Sequence, residues 1–292
     1  MSALRILITG QHGQVSQALQ HSLKDTAELI VAGRDRMDLS QPESLRATVR
    51  DIKPDLIINP AAHTAVDQSE SEPELALAIN GISPGVLAEE AAALGIPLIH
   101  YSTDYVFDGS KDTPWIETDP THPLGVYGSS KLAGEQAIAA VGGQYLILRT
   151  SWVYSLTGRN FLLTMQRLLQ EREKLTIVAD QIGAPTWAGT IAHSTRQLIE
   201  RWQRGEADTW GVYHLTASGE TSWFGFAQAI GQHLIEQGKP CATLEPILSS
   251  AYPTPAARPL NSRLDCSLLQ RAWGVSQPDW HDALLECLAQ QR

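Results

Sequence analysis

Two residues four positions apart, Tyr127 and Lys131, are of types that exchange protons with a substrate. Residues i and i+4 share one face of a helix, and the run Ser129 to Val141 has a helical pattern. A phenol with its ordinary pKa of about 10 transfers protons poorly near neutrality, and a nearby ammonium group lowers that pKa. The pair is therefore typical of an acid–base catalyst. Two unrelated surface residues at this spacing are the structural alternative.

A hydroxyl group follows the fourth predicted strand, Pro97 to Ser102. Ligands of open α/β sheets bind beyond the carboxyl ends of the strands. The side chain of Thr103 could therefore polarise a substrate carbonyl together with Tyr127. Capping of the strand end is the alternative role for this hydroxyl.

A glycine turn follows the first predicted strand, Leu4 to Thr9. Gly10 and Gly13 precede Gln14 and Val15, where a helix is predicted to begin. Glycines permit a tight turn and let backbone amides approach a pyrophosphate at the helix N-terminus. An ordinary strand-to-helix turn can have the same G-x-x-G string. The position after the first strand of an α/β series favours a dinucleotide-binding site.

Arg34 lies just after the second predicted strand, Leu29 to Ala32. A carboxylate at this place would bond the ribose 2′-hydroxyl of NADH, whereas a cation could meet the 2′-phosphate of NADPH. Arg34 favours NADPH, with a solvated loop cation as the alternative reading. The predicted cofactor is therefore NADPH or NADH.

Short β-rich runs alternate with helical patterns in the first half of the chain, which predicts right-handed βαβ units. The predicted fold class is α/β: a doubly wound parallel sheet (Rossmann-like) with a smaller C-terminal α/β substrate-binding domain. The predicted boundaries are 1–155 for the dinucleotide-binding domain and 156–292 for the substrate-binding domain, with some segments, such as 175–187, returning to the first. The other predicted strands are 55–59, 145–149 and 175–179, and the predicted helices are 14–23, 73–94, 129–141, 161–172, 187–202, 221–236 and 279–290.

The composition is that of a globular protein. The 292 residues carry a formal net charge of −10, and this acidic balance is a poor match for nucleic acid. The first apolar run, Ile6 to Ile8, is too short for a signal-peptide core or a membrane span. The three cysteines show no metal-binding or disulfide spacing. A cytoplasmic protein that binds neither nucleic acid nor membrane is expected.

Charge is unevenly distributed along the chain. Between Lys53 and Lys111 there are nine acidic residues and no Lys or Arg. Most of this stretch is interpreted as a solvated helix face. By contrast, the segment from Pro253 to Arg271 is a basic island that holds Arg258, Arg263 and Arg271 against Asp265 alone.

The chain resembles the extended short-chain dehydrogenases/reductases and, within them, the dTDP-4-dehydrorhamnose reductase family. The resemblance covers essentially the whole chain, and many strings occur in family order. They are Ala61-Ala62-His63-Thr64-Ala65-Val66-Asp67, Ser102-Thr103-Asp104-Tyr105-Val106-Phe107-Asp108-Gly109, Val126-Tyr127-Gly128, Lys131-Leu132-Ala133-Gly134-Glu135, Arg149-Thr150-Ser151-Trp152-Val153-Tyr154, Asp180-Gln181-Ile182-Gly183-Ala184-Pro185-Thr186 and Arg258-Pro259-Leu260-Asn261-Ser262-Arg263-Leu264.

The resemblance implies the NAD(P)H-dependent reduction of the C4 ketone of a dTDP-linked 4-keto-6-deoxy sugar, dTDP-4-dehydro-L-rhamnose, to dTDP-L-rhamnose for cell-surface polysaccharide. It implies that Tyr127 donates the proton, Lys131 tunes Tyr127 and holds the cofactor ribose, and Thr103 polarises the ketone. The implied substrate contacts are Thr103, Asp104, Trp152, Arg258, Asn261 and Arg263. The implied cofactor contacts are Gly10, Gly13, Gln14, Val15, Arg34, Asp38, Leu39, Ala62, His63, Thr64, Tyr127 and Lys131.

Two departures from the family pattern affect these expectations. Ser16 stands where the family usually has a third glycine, and a small residue there should still permit cofactor binding. Some members dimerise through acidic residues that bind Mg²⁺, and Ala18 and Gly189 align with two of those positions. Because Mg²⁺ needs oxygen ligands, the expected state is a monomer or weak homodimer that is not metal-bridged, and no metal site is predicted.

Two other functions remain open. A related nucleotide-sugar epimerase or dehydratase shares the same scaffold, but a dehydratase needs an acidic pair after Thr103, and Asp104 is followed by Tyr105. A non-enzymatic subunit resembling the regulatory subunit of methionine adenosyltransferase is the second alternative. The presence of Tyr127, Lys131 and Thr103 together favours an enzyme.

Overall fold

The computed structural model describes residues 4–206 and 209–291. The strands in these ranges are β1 (Arg5–Thr9), β2 (Glu28–Ala32), β3 (Leu56–Asn59), β4 (Leu98–Thr103), β5 (Tyr145–Thr150), β6 (Val153–Tyr154), β7 (Lys174–Val178), β8 (Ile182–Gly183), β9 (Thr186–Trp187), β10 (Gly211–His214), β11 (Thr221–Ser222) and β12 (Thr243–Ile247). The helices are α1 (Gln14–Leu23), α2 (Pro42–Ile52), α3 (Val66–Ser69), α4 (Pro73–Leu77), α5 (Ser83–Leu94), α6 (Val126–Val141), α7 (Phe161–Glu171), α8 (Ala188–Gln203), α9 (Trp223–Glu236), α10 (Ser267–Trp273) and α11 (Trp280–Ala289). A π-helical turn, Ala78–Ile82, joins α4 to α5, and 3₁₀ turns span Asp104–Val106 and Ser249–Ala251.

One six-stranded sheet organises the first half of the molecule. Its strand order is β10-β5-β4-β3-β1-β2, and every neighbouring pair is parallel. The central strands are apolar on both faces because helices cover both faces. One apolar layer joins the sheet to α1 and α8, and the other joins it to α2 and α5. The predicted α/β class with a doubly wound parallel sheet is confirmed.

The second half of the chain forms a separate apolar core around α7, α9 and α11. Strand β7 pairs in parallel with β12, outside the large sheet, while β9 pairs with β6 and β8 pairs with β11. The later segments that join the six-stranded layer are α8, which packs on α1, and β10, which pairs with β5. The division of labour between residues 1–155 and 156–292 stays a prediction.

The acidic stretch between Lys53 and Lys111 contains two buried carboxylates. The Glu90 side chain is buried and forms ion pairs with Arg50 at 2.7 Å and Arg46 at 3.3 Å. Asp104 is also buried. These two carboxylates are the exceptions to a mostly solvated face, because one joins α5 to α2 and the other directly follows β4. No helix in the described ranges is long and apolar enough to cross a membrane.

Candidate active site

The Tyr127 side chain lies in the first turn of α6, beside the carboxyl end of β4. It is half-buried, and its ring meets Tyr105 edge-on at 5.5 Å between centroids. Gly128 allows this close approach, since a Cβ there would lie 2.2 Å from the Tyr105 carbonyl oxygen. Burial raises the pKa of Tyr127 to about 12, a hydrogen bond with Thr103 lowers it in part, and Asp104 raises it. The phenol therefore holds its proton at neutral pH, as a proton donor must.

Lys131 lies one turn further along α6 and is buried. Its ammonium nitrogen donates to the Tyr101 carbonyl oxygen at 2.6 Å and lies 3.2 Å from His100 Nε2. Burial lowers the pKa of Lys131 to about 8, and the Glu135 carboxylate opposes that shift. Glu135 is itself held by Arg149 at 2.6 Å. A lysine with this pKa can both carry a proton and release it near neutrality.

Thr103 is the last residue of β4, and Asp104 begins the 3₁₀ turn that follows it, close to Tyr127. The Thr103 hydroxyl donates to Asp104 Oδ1 at 3.0 Å and accepts from the Tyr105 amide at 3.2 Å. The second Asp104 oxygen, Oδ2, is buried without a hydrogen-bond partner. Burial raises the pKa of Asp104 to about 6, and hydrogen bonds from Ser262 and Thr103 oppose the rise. An unpartnered buried carboxylate oxygen is an acceptor that a ligand hydroxyl can satisfy.

The glycine turn has the shape that a dinucleotide requires. Gly10 has φ +75°, and a Cβ there would lie 2.8 Å from the Ala61 Cβ. Gly13 caps α1 without a side-chain hydrogen bond, so the first amides of α1 are left for a ligand. Gln14 Oε1 accepts from Ser155 and Asn160, which fixes this end of α1. Val15 is half-buried in the adjoining core. The turn therefore fits a pyrophosphate.

The loop after β2 carries the residues expected near the adenosine. Arg34 is exposed, with 77% of its side chain accessible, and its Nε donates to Asp38 Oδ2 at 3.3 Å. The other Asp38 oxygen accepts from the amide and hydroxyl of Ser40. Leu39 is buried, and its carbonyl accepts from Ser83. Arg34 is thus exposed to solvent, whereas Asp38 is held by hydrogen bonds from Ser40 as well.

The segment after β3 contains Ala62, His63 and Thr64. The ring of His63 is anchored on both sides, with Nδ1 3.1 Å from Ser69 Oγ and Nε2 3.1 Å from Glu72 Oε2. Ala62 is half-buried and Thr64 is exposed. Because both ring nitrogens of His63 already have partners, its geometry suits a wall residue rather than an acid or base.

Trp152 follows β5 with a left-handed backbone, φ +48°, which is unusual for a bulky residue. Its indole stacks on Trp223 at 3.7 Å between centroids and 14° between planes. On another side a Cβ at Gly183 would come within 2.8 Å of the Trp152 ring. The Trp223 Nε1 donates to Gln181 Oε1 at 3.1 Å. Trp152 is therefore clamped in one orientation.

The loop from Arg258 to Arg263 is tied to its surroundings by its own side chains. Arg258 donates to Asp67 at 2.9 Å, but its Nε is buried without a partner. Arg263 donates to Glu220 at 3.0 Å and to Asn261 Oδ1 at 2.8 Å. The Asn261 amide nitrogen donates to the carbonyls of residues 111 and 113. Of the three predicted substrate contacts that lie in this loop, Arg258 alone keeps a buried donor without a partner in the described structure.

These residues form one neighbourhood. Ser262 lowers the pKa of Asp104, and the Ser262 Cβ would lie 3.2 Å from a Cβ at Gly183, the glycine that faces the Trp152 ring. Burial raises the pKa of Tyr105, Asp104 adds to that rise, and the Arg258 guanidinium opposes it. No group of three or more His, Cys, Asp or Glu able to hold a metal occurs among residues 4–206 and 209–291.

A family model described as the RmlD substrate binding domain matches residues 4–292. A dTDP-4-dehydrorhamnose reductase of Burkholderia thailandensis is 47% identical, covering 98% of each chain. The enzyme of that name from Escherichia coli is 47% identical, covering 95% of this chain and 94% of its own.

The chain belongs to the dTDP-4-dehydrorhamnose reductase family. The resemblance read from the sequence is thereby confirmed. A solved dTDP-4-dehydrorhamnose reductase from Bacillus anthracis, in complex with NADP, has a TM-score of 0.92 at 33% identity, covering 99% of this chain and 100% of its own. The Tyr127 pair, the glycine turn and the loop from Arg258 all lie within the residues that the family model matches.

Within this reductase scaffold, sequence reasoning missed several residues of the neighbourhood. Trp223 stacks on Trp152, Tyr105 meets Tyr127 edge-on, and Ser262 lowers the pKa of Asp104. His100 contacts Lys131. Each lies far in the chain from its partner or on a strand face that apolar patterning does not resolve. Only Tyr105 could have been found, since it directly follows Asp104.

Proposed function

We propose that the protein reduces the C4 ketone of dTDP-4-dehydro-L-rhamnose to dTDP-L-rhamnose with NADPH or NADH, for cell-surface polysaccharide synthesis. The observation that carries the proposal is a phenol held in its protonated form beside Thr103, with the buried Lys131 one turn away. Family membership supports the substrate, and the glycine turn supports a dinucleotide.

The chemistry divides between the cofactor and the side chains. When bound, the cofactor supplies a hydride to the ketone carbon. Tyr127 donates its phenolic proton to the ketone oxygen, and the Thr103 hydroxyl orients that oxygen by turning its single hydrogen from Asp104 Oδ1 to the substrate. Lys131 then returns a proton to the phenolate, directly or through the ribose that it holds. Removal of a general acid of this kind typically lowers the rate about 10²–10⁴-fold.

We propose these site assignments. The cofactor lies along Gly10, Gly13, Gln14 and Val15, then past Arg34, Asp38 and Leu39, with Ala62, His63 and Thr64 as the wall of its groove. The sugar lies between Asp104 and Trp152, where Asp104 Oδ2 accepts a sugar hydroxyl. Arg258 Nε is the donor for the diphosphate. Asn261 and Arg263 shape this loop, since their polar atoms already bond within the protein.

We also propose the division of the chain. Residues 1–155 bind the dinucleotide and 156–292 bind the nucleotide sugar, with α8 and β10 completing the first layer. A cytoplasmic location and the absence of a nucleic-acid partner are proposed on the same grounds, because the substrate is a soluble nucleotide sugar and the chain is acidic.

A monomer or weak homodimer without a metal bridge is proposed for the oligomeric state. Gly189 supports this, because the Trp187 ring would lie 2.4 Å from a Cβ at that position and leaves no room for a carboxylate. The test is the mass in solution with and without Mg²⁺. An Mg²⁺-dependent increase in mass would contradict the proposal.

The reaction is tested by following the absorbance of reduced nicotinamide with dTDP-4-dehydro-L-rhamnose. Oxidation with either cofactor, and formation of dTDP-L-rhamnose, are expected. Failure with both cofactors would overturn the proposal and favour the non-enzymatic regulatory alternative. Conversion to a differently configured sugar without net oxidation would favour the epimerase alternative.

A further inference from the structure

A buried chain of polar groups runs across three strands of the sheet to Lys131. It begins at Thr9 on β1, continues through Asn59 on β3 and His100 on β4, and ends at Lys131 on α6. Thr9 Oγ1 lies 2.6 Å from Asn59 Oδ1, Asn59 Nδ2 lies 3.0 Å from His100 Nδ1, and His100 Nε2 lies 3.2 Å from Lys131 Nζ. Thr9, Asn59 and His100 have no accessible surface.

The direction of this chain is fixed at its far end. The Ala61 amide donates to Thr9 Oγ1 at 3.3 Å, and an amide can only donate. Thr9 therefore has its single hydrogen free for Asn59 Oδ1. The separation of 2.6 Å is usual for an O–H···O bond and short for an N–H···O bond. Asn59 must then present its NH₂ group to His100.

The tautomer of His100 follows from that orientation. Because Asn59 donates to Nδ1, the ring proton of neutral His100 lies on Nε2 and faces Lys131. Burial, together with the charge of Lys131, holds the pKa of His100 well below its usual range, so the ring stays neutral. An ammonium group at Lys131 would place two donors against each other at 3.2 Å. A neutral amine would accept the His100 proton.

We propose that Thr9, Asn59 and His100 are positioning residues. Thr9 and Asn59 hold His100 as the Nε2–H tautomer, and His100 in that form favours the neutral form of Lys131. The inference rests on the proposed function, in which Lys131 returns a proton to Tyr127. A lysine whose neutral form is favoured is a stronger acid when protonated and therefore releases that proton more readily. The chain of hydrogen bonds also starts beside Ala61, which packs on Gly10 of the proposed cofactor turn.

Other ionisable groups near Lys131 act differently. Glu135, on the same helix, favours the charged form of Lys131. The carboxylate of Glu70, on the segment packed against α6, accepts from the Val126 amide. Asp104 and Tyr127 lie at the carboxyl end of β4 and act on each other. None of these contacts the His100 side of the Lys131 amine.

The functional test is the pH profile of kcat, whose alkaline limb should follow the loss of the Lys131 proton. His100→Gln, whose amide oxygen can accept from an ammonium group, and Asn59→Leu, which frees the tautomer, should each move that limb upward by about one pH unit. The double variant should move it no further than either single variant, because Asn59 acts through His100.

A matched control is His214→Gln. His214 is equally buried and neutral, but lies on β10 against Phe107 at 5.8 Å. It should leave the alkaline limb in place even if it lowers thermal stability. The proposal would be overturned if the alkaline limb of the kcat profile stayed in place in both His100→Gln and Asn59→Leu. It would also be overturned if His214→Gln moved that limb by the same amount.

The tautomer itself is measurable without turnover or substitution. Nitrogen-15 NMR of the histidine rings of the unmodified protein should show His100 protonated at Nε2 at neutral pH. Protonation at Nδ1 would overturn the inference even if the variants fail to fold. The NMR measurement tests the tautomer of His100 alone. The proposed function is tested separately, and it is overturned if neither reduced cofactor is oxidised.

Discussion

The catalytic end of β4 and α6 and the loop from Arg258 to Arg263 are neighbours that treat ionisable groups in opposite ways. At the catalytic end, burial moves Tyr127, Lys131 and Asp104 toward their neutral forms. In the loop, the guanidinium groups of Arg258 and Arg263 form ion pairs with the carboxylates of Asp67 and Glu220. Burial therefore disfavours the charged forms in the first region, whereas the charges in the second region have partners of opposite sign.

This difference has an energetic consequence. A group whose pKa is moved by burial lowers the free energy of unfolding at the pH where it must be charged. A partly exposed ion pair contributes little, typically about 0–1 kcal/mol. Substitutions at the catalytic end should therefore lower activity while leaving stability unchanged or higher. Substitutions in the loop should weaken substrate binding and slightly lower stability.

Tyr127→Phe should show the largest loss of activity. It removes the proton that the ketone oxygen receives, and kcat should fall about 10²–10⁴-fold with an unchanged fold. Steady-state kinetics and circular dichroism check both parts. Tyr105→Phe, at the edge-on neighbour, should lose far less. Near-normal turnover by Tyr127→Phe would remove this residue from the acid's role.

Lys131→Met should inactivate the enzyme but stabilise it at neutral pH. The pKa is 10.5 in the unfolded chain and about 8 in the fold, so below pH 8 the folded protein carries a disfavoured buried ammonium. Its removal should raise the free energy of unfolding by up to about 3 kcal/mol, less the two lost hydrogen bonds. The advantage should shrink from pH 8 to 10.5 and vanish above.

Denaturant unfolding at several pH values measures this effect. Lys174→Met is the control, because Lys174 is exposed in an ion pair with Glu245. It should show no such pH dependence. A Lys131→Met protein that is less stable than the parent at every pH would show that the buried Lys131 ammonium does not destabilise the fold. The two regions would then not differ in the way described above.

Arg258→Gln should raise KM for the nucleotide sugar about tenfold, which corresponds to about 1.4 kcal/mol. The reason is the loss of the free Nε donor and of the pair with Asp67. Asp67→Asn, which keeps the guanidinium, should raise KM by less. If KM were unchanged in Arg258→Gln, the diphosphate would have to bind elsewhere.

Arg34→Ala should have the smallest effect and act on one cofactor only. Because Arg34 is exposed, its attraction to a 2′-phosphate is screened by salt. KM for NADPH should rise a few-fold and KM for NADH should stay constant, with a smaller difference at high ionic strength. Equal changes for the two cofactors would show that Arg34 is a solvated loop cation.

The sequence predicts the elements well where apolar residues repeat regularly. The helix from Gln14 to Leu23 has the predicted bounds, and the first five strands lie within a residue of their predicted positions. Helix α2 was missed although Leu45, Val49 and Ile52 lie on one face. Strand β10 was missed because four residues pairing with a strand some sixty positions earlier leave no local pattern.

The site divides in the same way. Thr103, Tyr127 and Lys131 come from strings that lie at strand ends or on one helix turn, so their proximity was predictable. The stack of Trp152 on Trp223 and the contact of His100 with Lys131 join distant parts of the chain. These contacts depend on how distant elements pack together, and no local sequence pattern predicts that packing. The ionisation of Asp104 likewise depends on burial.

Strand β10 has one more consequence, which concerns modularity. It covers the edge of β5, and residues from α8 to Val275 complete the apolar layer against β1 and β4. A fragment ending at residue 155 would expose an unpaired edge strand and half of that layer, which favours aggregation. The half of the chain proposed to bind the cofactor is therefore not a transferable unit. Circular permutation or fusion would have to carry the chain through residue 275 to keep it whole.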